Sequence, residues 1–164
     1  MIDAETLLAD LETHHIEGIA REGHTPFSCP LITPVHDNLW QGGCLNGVNL
    51  QGYFKHIVSL YPWERYNPGG ELDSFVEVRL YDGPTVPDVT QLYTLARWIN
   101  FCKHKGRTLV HCQAGLNRSG LLTGLSLILD GMRPEDAIAL MRRKRCDAVL
   151  CNEAFRNWLY EVQV

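Results

Sequence analysis

Thr108-Leu109-Val110-His111-Cys112-Gln113-Ala114-Gly115-Leu116-Asn117-Arg118-Ser119-Gly120, running on into Leu121-Leu122-Thr123-Gly124-Leu125-Ser126-Leu127-Ile128-Leu129, decides how this chain folds. Thr108-Leu109-Val110 is a short apolar run with β-branched residues and reads as a buried strand. Residues 121–129 read as an almost wholly buried helix. A strand, a glycine-bearing turn and a helix together build an anion cradle, because loop amides and the free N–H groups of the helix start converge on one point. Into that cradle the sequence puts a thiol at the entrance, Cys112, and a guanidinium at the exit, Arg118, with five residues between them. Thiolate is the reactive form of cysteine, and amides, a helix start and a cation all favour it. The planar fork of Arg118 can hold two oxygens of one phosphate, which a lysine cannot. Ser119 can donate a hydroxyl to sulfur, and His111 reads as a support beneath the loop rather than a proton shuttle. No G-x-x-x-x-G-K-[ST] is present, and no lysine lies between Arg107 and Arg118, so this is not a nucleotide P-loop.

Working outward, residues 38–41 read as the first strand of the core sheet, closed by Gly42-Gly43, and residues 54–60 and 74–80 as the next two. Residues 61–70 form a loop rich in aromatics, in which Trp63 either meets substrate or caps the core. Residues 89–105 predict an amphipathic helix on the stripe Leu92, Leu95, Ala96 and Ile99. Further helices are expected from Pro134 to about Arg145 and over residues 153–161. Towards the N-terminus, residues 3–20 read as a helix on which His14-His15-Ile16-Glu17 is an exposed polar face rather than a metal site. Thr25-Pro26-Phe27-Ser28-Cys29-Pro30 and Thr33-Pro34 then read as irregular chain crossing the surface. The expectation is one domain over residues 1–164, with residues 1–37 as lead-in and 38–164 as core. Strands alternating with helices require the α/β class: a central, mostly parallel sheet of four or five strands with helices on both sides.

Composition narrows the function classes. The chain has 164 residues and a net charge of −4, which argues against gripping nucleic acid by bulk electrostatics. Arg142-Arg143-Lys144-Arg145 reads as a solvated helix end complementing the dipole rather than a strand-binding patch. No stretch reads as a signal peptide or is long enough to cross a bilayer. The six cysteines show neither C-x-x-C pairing nor zinc spacing, and a thiolate enzyme needs reducing surroundings, so the cytoplasm is expected.

The central stretch resembles the signature H-C-x5-R-[S/T] of the cysteine-dependent protein tyrosine phosphatase superfamily. Leu39-Trp40-Gln41-Gly42-Gly43, Pro134-Glu135-Asp136-Ala137-Ile138 and Asn152-Glu153-Ala154-Phe155-Arg156-Asn157-Trp158-Leu159 are similar to flanking segments of its small dual-specificity members. The resemblance implies two-step phosphate monoester hydrolysis through a cysteinyl-phosphate, with no metal or other cofactor. Cys112 is then the nucleophile, Arg118 and the amides of Gln113, Ala114, Gly115, Leu116 and Asn117 hold the phosphate, and Ser119 eases sulfur's departure. Such chemistry also needs a carboxylic acid on a mobile loop. Asp82, at a strand end in Tyr81-Asp82-Gly83-Pro84, is placed like the family's acid, and Asp88 is the alternative. A shallow cleft acting on phosphorylated protein or peptide is implied; no membrane partner is expected, and the oligomeric state is not read from the sequence, a monomer being the expectation. Gly115-Leu116-Asn117-Arg118 is also similar to the RNA 5′-phosphatase branch, which keeps RNA 5′-triphosphatase or diphosphatase activity open. A lipid or small-molecule phosphatase, and a silent phosphate-binding module, are the remaining readings.

Overall fold

The structure, a computed structural model, describes Thr6 and residues 14–163. Strands β1 (His15–Ile19) and β2 (Pro26–Pro30) pair antiparallel as a separate two-stranded ribbon. Strands β3 (Ile32–His36), β4 (Leu39–Gly42), β5 (His56–Ser59), β6 (Ser74–Glu77) and β7 (Thr108–His111) form one sheet in the order β3-β4-β7-β5-β6. Only β3 runs antiparallel to its neighbour; β4, β7, β5 and β6 are parallel. β7 therefore lies in the middle of the sheet and all four of its residues are buried. That is what a continuous apolar run in a doubly covered parallel sheet requires.

Helices α1 (Val89–Lys103), α2 (Arg118–Leu129), α3 (Pro134–Lys144) and α4 (Glu153–Tyr160) pack with this sheet. The class is the expected one, but among the described residues the helices gather on one face of the sheet. Leu39, Val58 and Val110 meet that helical layer, while Trp40, Ile57 and Leu109, one residue out of phase, point to the opposite face. That second face is covered by Val48, Leu50, Tyr53 and Phe54 from the connection between β4 and β5. Trp40, Tyr53 and Phe54 pack edge to face there, with ring centroids 5.2–5.4 Å apart. The connection carries Asn46-Gly47 and Gln51-Gly52, with Gly47, Gln51 and Gly52 at positive φ, so it turns instead of coiling into a helix.

Two expectations for the lead-in are corrected. Of the helix expected over residues 3–20, residues 15–19 are strand β1, and most of the remainder lies outside the described residues. Gly18 weakens any helix there by about 1 kcal/mol relative to alanine, whereas pairing with β2 satisfies the backbone. The segment expected to be irregular supplies β2 and β3, so the core sheet begins before residue 38. Its prolines sit where a missing N–H costs little: Pro26 and Pro30 end β2, and Pro34 lies on the edge strand beside a bulge.

A disulfide joins Cys29 of β2 to Cys146 just beyond α3, across 117 positions, with Cα atoms 6.0 Å apart. Among the described residues no helix is long and apolar enough to cross a membrane. Nor, among them, do three or more His, Cys, Asp or Glu side chains gather where they could hold a metal ion.

Candidate active site

Residues 112–117 join the C-terminal end of β7 to the first residue of α2, the edge at which parallel α/β sheets place their sites. The loop's carbonyls are held from outside. Gln113 O accepts from Cys44 N at 2.9 Å, and Ala114 O from Arg145 Nη2 at 3.1 Å. Gly115 O accepts from Arg145 Nε at 2.8 Å and Gln41 Nε2 at 3.1 Å, and Leu116 O from Leu150 N at 3.1 Å. With four successive carbonyls engaged outward, the intervening amides of Gln113, Ala114, Gly115, Leu116 and Asn117 are left for the inside of the loop. That is the arrangement of an anion-binding nest. Gly115 takes φ +76°, and a Cβ there would run into the backbone of Gly42 and Gly43, so glycine is required.

Arg145 overturns part of the solvated-face reading of the basic run. It is buried, and its guanidinium also donates to Pro30 O (2.7 Å) and Thr33 Oγ1 (3.0 Å). Burial pulls its pKa down to about 10, partly offset by Cys112. Arg142 likewise donates to Val149 O at 2.9 Å, while Arg143 and Lys144 face solvent. The signal was present in the helical period, since Arg145 continues the buried stripe of Ile138 and Met141.

Cys112 is buried at the loop entrance, its Sγ 3.3 Å from Ser119 Oγ and 3.5 Å from Ser119 N. Gln41 Nε2 donates to the same hydroxyl at 3.2 Å. A hydroxyl accepting from Gln41 keeps its own hydrogen for a sulfur anion. His111 lies beneath, with Nδ1 3.2 Å from Cys112 O and Nε2 2.8 Å from Tyr66 Oη. Burial, with the charge of Arg118 adding to it, pulls His111 down to about 4 against the opposing backbone contact, so the ring is neutral near pH 7. Tyr66 is pushed upward by burial first and by Cys44 and Glu77 second. Cys44, on the cleft wall, is raised to about 12 by burial and by Glu64, and stays a thiol. The sequence places Gln41 in a strand and Tyr66 in the aromatic loop but gives neither a role at the site; a polar residue inside an otherwise apolar strand was the available hint for Gln41.

Arg118 opens α2 and donates from Nη1 to Leu80 O at 3.2 Å, and its guanidinium lies 5.2 Å from the centroid of Tyr61. Its buried Nε has no hydrogen-bond partner among the described residues. Asp82 comes to the same cleft, where its carboxylate accepts from Asn117 Nδ2 (3.0 Å) and Asn152 Nδ2 (2.8 Å). Asp88 does not line the cleft; it caps α1, accepting from Gln91 N at 3.3 Å. The structure thus brings together His111, Cys112, residues 113–117, Arg118, Ser119 and Asp82, and sets Asp88 apart.

The cleft over this loop has a volume of about 780 Å³. Tyr61, Trp63 and Tyr81 line one side; the ribbon, through Ile16, Ile19 and Phe27, lines another. That second wall is absent from the shallow cleft expected. Gly43 allows it, because a Cβ there would strike Ile16 and the signature-loop backbone. Trp63 is half-exposed and lines the cleft rather than capping the core.

Comparison with known proteins places this geometry. The human protein tyrosine phosphatase type IVA 3 is 48% identical over 50 residues, covering 30% of this chain and 29% of that protein. The chain thus matches less than a third of the length of that curated relative. A probable rhodanese domain-containing dual specificity protein phosphatase of Dictyostelium discoideum is 29% identical over 120 residues, covering 68% of this chain and 24% of that protein. Among solved structures, the human tyrosine phosphatase-like serine/threonine/tyrosine-interacting protein superposes with a TM-score of 0.66 at 19% identity, over 79% of this chain and 93% of that one, a likeness of fold. Residues 51–164, which carry β5 to β7, the signature loop and helices α1 to α4, match the model of the dual specificity phosphatase catalytic domain, and the chain belongs to that family.

Proposed function

We propose that this protein hydrolyses phosphate monoesters on proteins, phosphotyrosine among them, through a cysteinyl-phosphate. The observation that carries the reading is one cleft holding Cys112 Sγ, the fork of Arg118 and the carboxylate of Asp82 around a loop whose carbonyls are turned away. Cys112 thiolate attacks phosphorus while the ester P–O bond breaks, and Asp82 gives its proton to the departing oxygen. The loop amides and Arg118 bind the equatorial oxygens as charge redistributes. Asp82, now a carboxylate, takes a proton from water as that water attacks phosphorus. The P–S bond breaks, and the returning thiolate accepts a hydrogen bond from Ser119. His111, neutral and buried, supports the loop and takes no part in proton transfer.

Gly115-Leu116-Asn117-Arg118 favours a second reading, RNA 5′-phosphatase activity. The cleft lining weighs against it, with Glu17 and Glu64 as carboxylates, Arg21 as the one cation besides Arg118 among the described residues, and no lysine. A triphosphate would bring several negative charges against those carboxylates. The aromatic side formed by Tyr61, Trp63 and Tyr81 suits a phosphorylated side chain carrying a single phosphate.

The test is phosphate release from a phosphotyrosine peptide and from 5′-triphosphorylated RNA at equal concentration, with Cys112→Ser as blank. Faster peptide turnover that the blank lacks is expected. Faster RNA turnover would install the second reading, and undiminished turnover by the blank would remove Cys112 as nucleophile.

A further inference from the structure

Asp82 lies in a stretch without regular secondary structure, between β6 and α1, followed by Gly83 and Pro84. No ladder of backbone bonds fixes its carboxylate, yet both oxygens are held. Asn117 Nδ2 donates to one at 3.0 Å and Asn152 Nδ2 to the other at 2.8 Å. Asn152 Nδ2 also lies 2.8 Å from Gly83 O, so it grips the backbone beside the acid as well as the acid itself.

The orientation of each carboxamide is dictated by its other end. Asn152 Oδ1 caps α4 by accepting from Phe155 N at 3.2 Å, which leaves its NH2 to face Asp82. Asn117 Oδ1 accepts from Asn152 N at 2.9 Å, which turns its NH2 the same way. Both residues are buried, where unpaired polar groups are costly, so neither amide is free to flip. Either oxygen of a carboxyl group can still accept a hydrogen bond after one of them takes up a proton. The two donors therefore hold the group in both protonation states that a hydrolytic cycle visits.

We infer that Asn152 is a positioning residue which, with Asn117, clamps Asp82 over the phosphate loop and sets its distance from the leaving-group oxygen. The helix cap of α4 and the placement of the acid are then one device, linking the closing helix to the signature loop through Asn117. This inference rests on the reading of Asp82 as the acid.

The experiment compares kcat/KM of wild type, Asn152→Ser, Asp82→Ala and the double variant on two esters. Phenyl phosphate has a poor leaving group and depends on protonation; dinitrophenyl phosphate has a good one and does not. Serine caps a helix about as well as asparagine but its hydroxyl is too short to reach Asp82. Asn152→Ser should slow phenyl phosphate by roughly 10–100-fold, below the full ~10²–10⁴ of an acid and in the range of a small misplacement. It should leave dinitrophenyl phosphate close to wild type, and add nothing in the Asp82→Ala background. Equal slowing of both esters would mean a purely structural role and overturn the inference. Wild-type rates for Asn152→Ser, beside an Asp82→Ala that is selectively slow on phenyl phosphate, would overturn it and leave the acid reading standing. An Asp82→Ala without leaving-group dependence would remove the acid reading, and the inference with it. Should Asn152→Ser not fold, Asn152→Asp keeps the cap and sets a like charge against Asp82, with the same pattern expected.

Discussion

On the floor of the cleft, Cys112, Arg118 and Ser119 come from one run of sequence, and β4 beside it adds Gln41. On the walls, Ile16 and Phe27 come from the ribbon, Tyr61 and Trp63 from the loop after β5, and Tyr81 and Asp82 from the loop after β6. The floor is held by buried hydrogen bonds; much of the wall is exposed, Ile19 at 73% and Tyr81 at 69%. The contrast separates two tasks. Charge on a phosphate must be met by donors that do not reorganise, so the floor is rigid and local. The walls are drawn from three separate segments and are more exposed than the floor.

The largest effect that would test this contrast falls on the floor's hidden support. Arg145→Met keeps much of the volume but strips donors from Ala114 O, Gly115 O and Pro30 O. We expect kcat/KM on a small aryl phosphate to fall by about 10²-fold, as for a misplaced reacting group, and unfolding free energy by roughly 2–4 kcal/mol. Kinetics and a denaturant melt measure both, and unchanged kinetics would mean that the floor does not need Arg145.

His111 yields the next. Its folded-state value of about 4 lies below the ordinary 6.5, so in that window the unfolded chain binds the extra proton. Stability from this residue is therefore complete above about pH 6.5 and is lost as pH falls towards 4, by up to about 3 kcal/mol. Melts from pH 7 to pH 4 should show a steeper acid loss for wild type than for His111→Gln. Parallel curves would remove the buried neutral histidine from the account.

The smallest belongs to the wall. Trp63 lies tilted against Tyr61 with centroids 4.8 Å apart and is 45% exposed. Trp63→Ala should raise KM for a phosphotyrosine peptide by roughly 2–10-fold, the worth of an aromatic contact, and leave kcat on a small phosphate ester near wild type. A matching loss on the small ester would place Trp63 in the floor's support instead.

Much of this arrangement is legible in the sequence alone. Helix α1 followed its apolar stripe, and β4, β5 and β7 followed their apolar runs, because period and burial act over neighbouring residues. The ribbon differs from the expected helix and surface chain because the three-residue spacing of Ile16 and Ile19 fits a helical stripe and breaks the strand period of two, and so short a segment offers no further positions to weigh against it. Only the partner strand chooses between them. Cys29 and Cys146 pair across a separation that no spacing rule covers.

What the sequence determined by itself is the floor: a strand, a loop with Cys112, Gly115, Arg118 and Ser119, and a buried helix. Those groups lie within eight positions of one another, so the geometry of one loop brings them together. Tertiary structure alone decided that Arg145 is an internal strut and not a solvated charge, that Asp82 is clamped by Asn117 and Asn152, and that the ribbon walls the cleft. Each of those depends on segments tens of residues apart, whose meeting is set by which faces of the sheet and helices must leave water.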